Sequence, residues 1–273
     1  MNASPKQKNA EAPKWDAAGY AAHSVVQQSW ARELIAKLGF RGDEHILDVG
    51  CGDGKITAEI AQAVPGGSAT GIDASAEMIS FAESMFPKNK VPNLEFHVMD
   101  AREIKFAREF DLVFSNAALH WVDDHPKFLA GAASILTSGG RLIVSCGGKG
   151  NAQDVFMALL PELRSRRWRE FFRKMPNPYF FYAPEDYRKW LVKAGFSSHT
   201  VRLAPKDATY SGPEGLAAWL RTTWLPYVQR IPEDLREEFI AAVTGRYLTQ
   251  HPPDGENRVH VKMVRLEIEA AVP

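Results

Sequence analysis

Short apolar runs alternate with amphipathic stretches through the first half of the chain, and the rhythm then breaks. Ile46, Leu47 and Val49 form the first run and end at a glycine-rich turn. Residues 69–73, 94–98, 110–114 and 141–146 repeat it, as strands bounded by turn residues do. Residues 55–63, a segment opening at 74–78, and residues 128–136 have the spacing of helices. Turns are expected at Pro65-Gly66-Gly67 and Ser138-Gly139-Gly140. A helix over 24–38 comes first, with Val25, Trp30, Leu34, Ile35 and Leu38 on one stripe and Gly39 and Gly42 ending it. Strands alternating with helices predict an α/β fold on a parallel sheet.

Beyond residue 150 the regular alternation stops. Residues 154–163 and 164–172 read as helices, and 175–182 as an aromatic loop rich in Pro and Asn. A short helix over 184–194 ends at Gly195, and a sixth strand is expected at 200–203. Residues 213–221 and 232–249 read as helices. Val259, Val261, Met263, Arg265 and Glu267 then alternate with His260, Lys262, Val264, Leu266 and Ile268, the period of a final strand.

Composition narrows the class. The 33 basic and 33 acidic residues cancel, which gives no support for a generally basic nucleic-acid binder. No apolar stretch is long enough to span a bilayer, and residues 1–13 lack the apolar core of a secretory signal. A cytoplasmic protein without membrane or nucleic-acid partners is expected. Cys51 and Cys146 make neither a disulfide framework nor a zinc-ligand spacing, so both are read as small buried residues and no metal is expected.

The chemistry concentrates at Leu47-Asp48-Val49-Gly50-Cys51-Gly52-Asp53-Gly54. Gly50, Gly52 and Gly54 let the backbone turn tightly and keep side chains away from a ligand. The helix that follows points its free N–H groups into the same crevice. A nicotinamide fingerprint would read G-x-G-x-x-G/A with a pyrophosphate on the helix end. Here Lys55 stands where the last small residue belongs, and Asp48 and Asp53 bring negative charge to the phosphate position. An acid-rich pocket suits a cationic ligand such as S-adenosylmethionine, which has no phosphate. Asp73 ends the second strand about 20 residues on, where a carboxylate can accept from both ribose hydroxyls.

The stretch from Leu47 to Gly54 resembles motif I of the class I S-adenosylmethionine-dependent methyltransferases, and later motifs agree in order and spacing. The resemblance implies a Rossmann-like, seven-stranded, mostly parallel sheet with its last strand antiparallel, helices on both faces and a helical cap. It implies S-adenosylmethionine as cofactor and S-adenosylhomocysteine as product. Asp73 and Ala74 would meet the ribose, Met78 the adenine face, and Asp100 and Ala101 the adenine edge. Asn116 would lie beside the cofactor at the end of the fourth strand. Trp15 and Tyr20 would belong to a flap over the cofactor, or to a terminus packed on the core. The implied layout is a disordered 1–14, a lid helix in 15–42, and a cofactor-binding core in 43–150. Cap insertions including the sixth strand occupy 151–257, and the final strand 258–273.

Within that class the chain resembles the trans-aconitate 2-methyltransferases at Trp15, Tyr20, Ser115-Asn116-Ala117, residues 121–125 and Trp219. The Leu119-His120-Trp121 element is similar to one in juvenile hormone acid methyltransferases. Both groups methylate carboxylates. An arginine expected one turn after Ser24 is Gln27 here, with Gln28 beside it, which argues against a tricarboxylate needing a guanidinium fork. The catalytic candidates are therefore His120, Trp121, Gln27 and Gln28, and the substrate-binding candidates Tyr179, Phe181, Arg221 and Trp224. His120 is a base or a hydrogen-bond donor, and Arg221 binds an acid or pairs with a surface carboxylate. The expected substrate is an amphipathic carboxylic acid, giving a methyl ester, handled by a monomer or homodimer. The alternatives are an aromatic or isoprenoid C-, N- or O-acceptor with His120 as base, or a non-catalytic cofactor-binding regulator.

Overall fold

The structure is a computed structural model that describes residues 25–273, with side chains described from Gln28 onward. Trp15, Tyr20 and the Gln27 side chain lie outside the described residues. Helix α1 (Val25–Leu38) leads into β1 (His45–Val49), α2 (Lys55–Ala63), β2 (Ser68–Asp73), α3 (Ala76–Met85) and β3 (Leu94–Val98). Strand β4 (Phe110–Asn116), α4 (His125–Ile135) and β5 (Leu136–Gly147) complete the regular half. Then come α5 (Gln153–Arg164), α6 (Pro184–Ala194), β6 (Ser198–Ser211), α7 (Gly212–Thr223), α8 (Leu225–Val228), α9 (Arg236–Gln250) and β7 (Arg258–Ala271).

The strands form one sheet in the order β3-β2-β1-β4-β5-β7-β6. β7 runs antiparallel to both neighbours, and the other pairs are parallel. Strand order reverses between β1 and β4, so a ligand crevice opens at the carboxyl ends of those strands. Alternate residues of each strand serve opposite faces. Leu47 and Val49 of β1 pack with Phe128 and Leu129 of α4 and Tyr187 and Leu191 of α6. Ile46 packs the other way, with Ile60 of α2, Ala82 of α3 and Leu38 of α1.

The β6–β7 ribbon is the element that builds the cap. β5 pairs β7 only from Arg265 to Ala271, whereas β6 pairs it along its whole length from Arg258. The free part of the ribbon extends beyond the end of β5. There Val259, Val261, Met263 and Ala208 form the floor of a second core, with Leu159 of α5, Trp219 of α7, Trp224, Tyr227 of α8 and Val243 of α9.

Several expectations need correction. The sixth strand spans Ser198–Ser211 rather than four residues, because its outer side is an unpaired edge that tolerates Pro205 and charged side chains. The turn expected at 138–140 lies within β5, where Gly139 takes φ +74° and its N–H bonds the carbonyl of Pro273. Residues 164–172 are not one helix: Ser165 accepts from the Trp168 N–H, and only Arg169–Phe172 forms a short 3₁₀ turn. The 232–249 segment opens with a 3₁₀ turn, Glu233–Leu235, before α9. Helix α6, expected within the cap insertions, packs on the sheet core instead.

Phe128 is fully buried between sheet and helices. Phe128→Ala should destabilise the protein by about 3–5 kcal/mol, the range for a phenylalanine cavity, read from denaturant unfolding.

Candidate active site

The glycine turn after β1 is pinned to the end of β2. The Ile72 carbonyl accepts from the Gly50 N–H at 2.7 Å and the Cys51 N–H at 3.0 Å. Gly50, Gly52 and Gly54 all take positive φ, 76°, 54° and 76°. A Cβ on Gly50 would stand 2.1 Å from the Ala118 Cβ, and one on Gly54 2.7 Å from the Phe96 ring. Glycine is therefore required by backbone and space together. Cys51 and Cys146 are both buried, as read from the sequence.

Three carboxylates surround this turn. Asp73 takes the Gly52 N–H on Oδ2 at 3.1 Å and the Ser75 N–H on Oδ1 at 2.9 Å, while its burial pushes its pKa up. Asp48 is buried, and its Oδ2 accepts from the Thr57 hydroxyl at 2.7 Å. Burial, opposed by that bond and reinforced by Asp73 and Asp53, pushes Asp48 up to about 7. Asp53 pairs with the Lys55 ammonium at 2.9 Å. A side-chain-free cradle with this donor set fits a cationic adenosyl ligand and disfavours a pyrophosphate.

The other cofactor candidates spread along the same strand ends. Ala74 is exposed after β2, and Met78 is buried in the first turn of α3. Asp100 follows β3 and caps the 3₁₀ turn Ala101–Glu103. Arg102 already engages both Asp100 oxygens, Oδ1 at 3.0 Å and Oδ2 at 2.6 Å, and holds its pKa below the usual range. Asn116 ends β4, and Ala117 takes φ +57°, turning the chain toward the 3₁₀ turn Leu119–Trp121. The Ser115 hydroxyl bonds the Val49 carbonyl at 2.8 Å, tying the ends of β4 and β1 together.

His120 and Trp121 sit on that 3₁₀ turn. The Phe180 N–H bonds the His120 carbonyl at 2.9 Å, which brings the aromatic loop alongside. The His120 ring lies 5.5 Å from Trp121, 6.3 Å from Tyr179 and 6.0 Å from Phe181 between centroids. Tyr179 stacks on Phe181 at 5.6 Å and meets Trp224 edge-on at 5.7 Å. Three of the sequence candidates thus surround His120, and Trp224 joins them through Tyr179. The Gly147 N–H points at Nδ1 from 3.4 Å, which puts the ring proton of the neutral imidazole on Nε2. Burial, with the positive charge of Arg265 behind it, pushes His120 down to about 3.

Arg221 does not join this group. Its guanidinium grips Glu237 with two bonds, 2.7 and 2.6 Å, at the exposed surface between α7 and α9. The surface-pair reading replaces the substrate-binding one. Gln28 is partly exposed on α1. The residue missed by sequence reasoning is Arg265, only 4% exposed. Its signal was present: a charge directly following Val259, Val261 and Met263 in phase on the buried face of β7.

The family described as "Methyltransferase domain" matches residues 41–175. An uncharacterised methyltransferase of Schizosaccharomyces pombe is 32% identical over 80% of this chain and 84% of its own length. The trans-aconitate 2-methyltransferase of Deinococcus radiodurans is 29% identical over 95% of this chain and 98% of its own. Among solved structures, the YcgJ protein of a Bacillus aligns with TM-score 0.63 at 17% identity, covering 90% of this chain and 98% of that one. The chain belongs to the class I S-adenosylmethionine-dependent methyltransferases.

Two outcomes follow for the cofactor. Asp73→Ala should weaken S-adenosylhomocysteine binding by about 1.5–3 kcal/mol, the range for hydrogen bonds to a charged group, measured by calorimetry. A ligand cation favours ionised Asp48, so S-adenosylmethionine should bind more tightly as pH rises from 6 to 8 and release protons on binding near pH 6.5. Titrations in buffers of different ionisation enthalpy measure that release.

Proposed function

We propose that this methyltransferase converts a small amphipathic carboxylic acid into its methyl ester. The observation that carries the reading is the state of His120. A histidine pushed down to about 3 is a weak proton acceptor at neutral pH. A phenol at pKa about 10 would have to lose its proton to a base some seven units weaker, whereas a carboxylic acid is already ionised. An acceptor that needs no base is therefore favoured over one that uses His120 as base. The trans-aconitate 2-methyltransferase relative, similar along nearly the whole chain, points the same way.

In this reading Asp48, Asp73 and the Gly50–Gly54 backbone hold the cofactor's amino-acid and ribose portions, with Ala74 beside the ribose. Met78, Asp100 and Ala101 hold the adenine, and Asn116 borders the cofactor. S-adenosylmethionine supplies an electrophilic methyl: the acceptor oxygen forms the new C–O bond as the C–S bond breaks and sulfur leaves as the neutral thioether. The protein's task is mainly to position the acceptor and match charge. His120, with its proton on Nε2, donates to one carboxylate oxygen, alongside the Trp121 indole and the Gln28 amide. Tyr179, Phe181 and Trp224 wall the apolar remainder of the acceptor.

Labelled S-adenosylmethionine incubated with a metabolite extract, followed by mass spectrometry, tests the reading. The expected product loses its label in mild alkali as methanol, and an alkali-stable product contradicts an ester. On the substrate so found, His120→Ala should lower kcat/KM about 10- to 100-fold through the lost hydrogen bond. With S-adenosylmethionine saturating, so that the Asp48 dependence of cofactor binding drops out, the wild-type kcat should stay nearly flat from pH 6 to 8, because neither the acid nor His120 titrates there.

A further inference from the structure

A buried guanidinium stands at the acceptor end of the crevice, with no part in the steps of methyl transfer. Arg265 lies on β7 opposite Gly147 of β5 and Ala204 of β6, where the ribbon begins to extend past the sheet. Its Nε donates to the Ser145 hydroxyl at 3.1 Å. Its Nη2 donates to Asn116 Oδ1 at 3.0 Å and to the Ser145 carbonyl. Its carbon centre lies 5.2 Å over the Trp30 ring of α1. These contacts fix the plane of the fork and tie it to the ends of β4 and β5 and to the first helix.

Burying an arginine costs hydration, and the guanidinium brings a positive charge to this end of the crevice. That charge is felt at the acceptor site. His120, whose Nδ1 faces the N–H of the same Gly147, is driven further toward its neutral form by Arg265. The crevice is thus divided by charge. Its β1–β2 side carries Asp48, Asp53 and Asp73, and its β5–β7 side carries Arg265. Three strand steps, about 14 Å at the usual spacing, separate β1 from β7. A cationic methyl donor fits the first side and an anionic acceptor the second.

We propose that Arg265 is the specificity-determining cation of the acceptor site, selecting carboxylates over uncharged molecules of the same shape. This rests on the carboxylate reading of the site and names the residue that enforces it. One carboxylate oxygen is drawn toward the Arg265 field and the His120 Nε2–H, and the other remains free to attack. The charge arrives from the last strand instead of the first helix, where Gln27 stands.

The test is calorimetric binding of two acid–amide pairs, 3-phenylpropanoate with its amide and octanoate with its amide, to the full chain saturated with S-adenosylhomocysteine. The wild type should bind at least one acid about tenfold or more tightly than its amide. Arg265→Met should remove that preference by weakening the acid and leaving the amide unchanged. Arg265→Lys should retain part of it, a rescue that a merely structural role would not give. Unchanged S-adenosylhomocysteine affinity shows that each variant is folded, and Arg265→Gln serves if the methionine variant is not. Equal or absent binding of acids and amides in the wild type overturns the proposal, as does an acid preference that survives in Arg265→Met. Failure of the ester reading looks different: an acid that binds through Arg265 yet yields no alkali-labile product leaves the anchor standing and removes the ester.

Discussion

The Ile72 carbonyl, by taking both the Gly50 and Cys51 amides, fixes the turn on which the rest of the site depends. It locks the end of β1 against the end of β2, so that the Gly52 N–H reaches Asp73 while the Asp48 side chain stays buried. The same closure requires glycine where any Cβ would strike Ala118 or Phe96. One backbone acceptor thus sets both the shape of the cofactor cradle and its negative charge. That charge is held at a cost, visible in Asp48 and Asp73 both being pushed toward their neutral forms by burial. A bound cation relieves the cost, which couples the binding chemistry directly to the fold.

At the other end, the β6–β7 ribbon has the corresponding role. Its antiparallel strand returns the chain to the carboxyl ends of β4 and β5, and its overhang supports the cap core. Arg265 sits at the transition between sheet and overhang. Its bonds to Ser145 and Asn116 tie the start of the overhang to the ends of β5 and β4. The aromatic loop joins the same place through the His120 carbonyl and the Phe180 amide.

β1, β2, β4 and the second half of β5 were legible because each is a short apolar run buried on both faces, and the edge strand β3 because Leu94 and Phe96 alternate with polar positions. The glycine turn was legible because three glycines in five residues after an apolar strand mark a tight turn, and all three take positive φ. The sixth strand was mostly hidden, since an edge strand satisfies only one side and admits Pro205, Lys206 and Asp207. The end of the cap helices was blurred by local capping, as at Ser165. Arg221 was legible only as an alternative between an acid ligand and a surface partner, because its partner Glu237 comes from α9, distant in sequence. Arg265 was passed over although its phase on β7 marked it as buried. A charged residue in register with the apolar face of a strand is the sequence pattern by which such a group can be recognised.

The proposed function has opposite charges divide one crevice between a cationic donor and an anionic acceptor. A crystal structure of the full chain with S-adenosylhomocysteine and 3-phenylpropanoate tests this division most directly. The product's amino group should lie beside Asp48 and its ribose on Asp73. The carboxylate should lie between His120 Nε2 and Arg265, with its second oxygen facing the sulfur. A carboxylate bound away from Arg265, or an acid whose phenyl group rather than its carboxylate faces the sulfur, would contradict it.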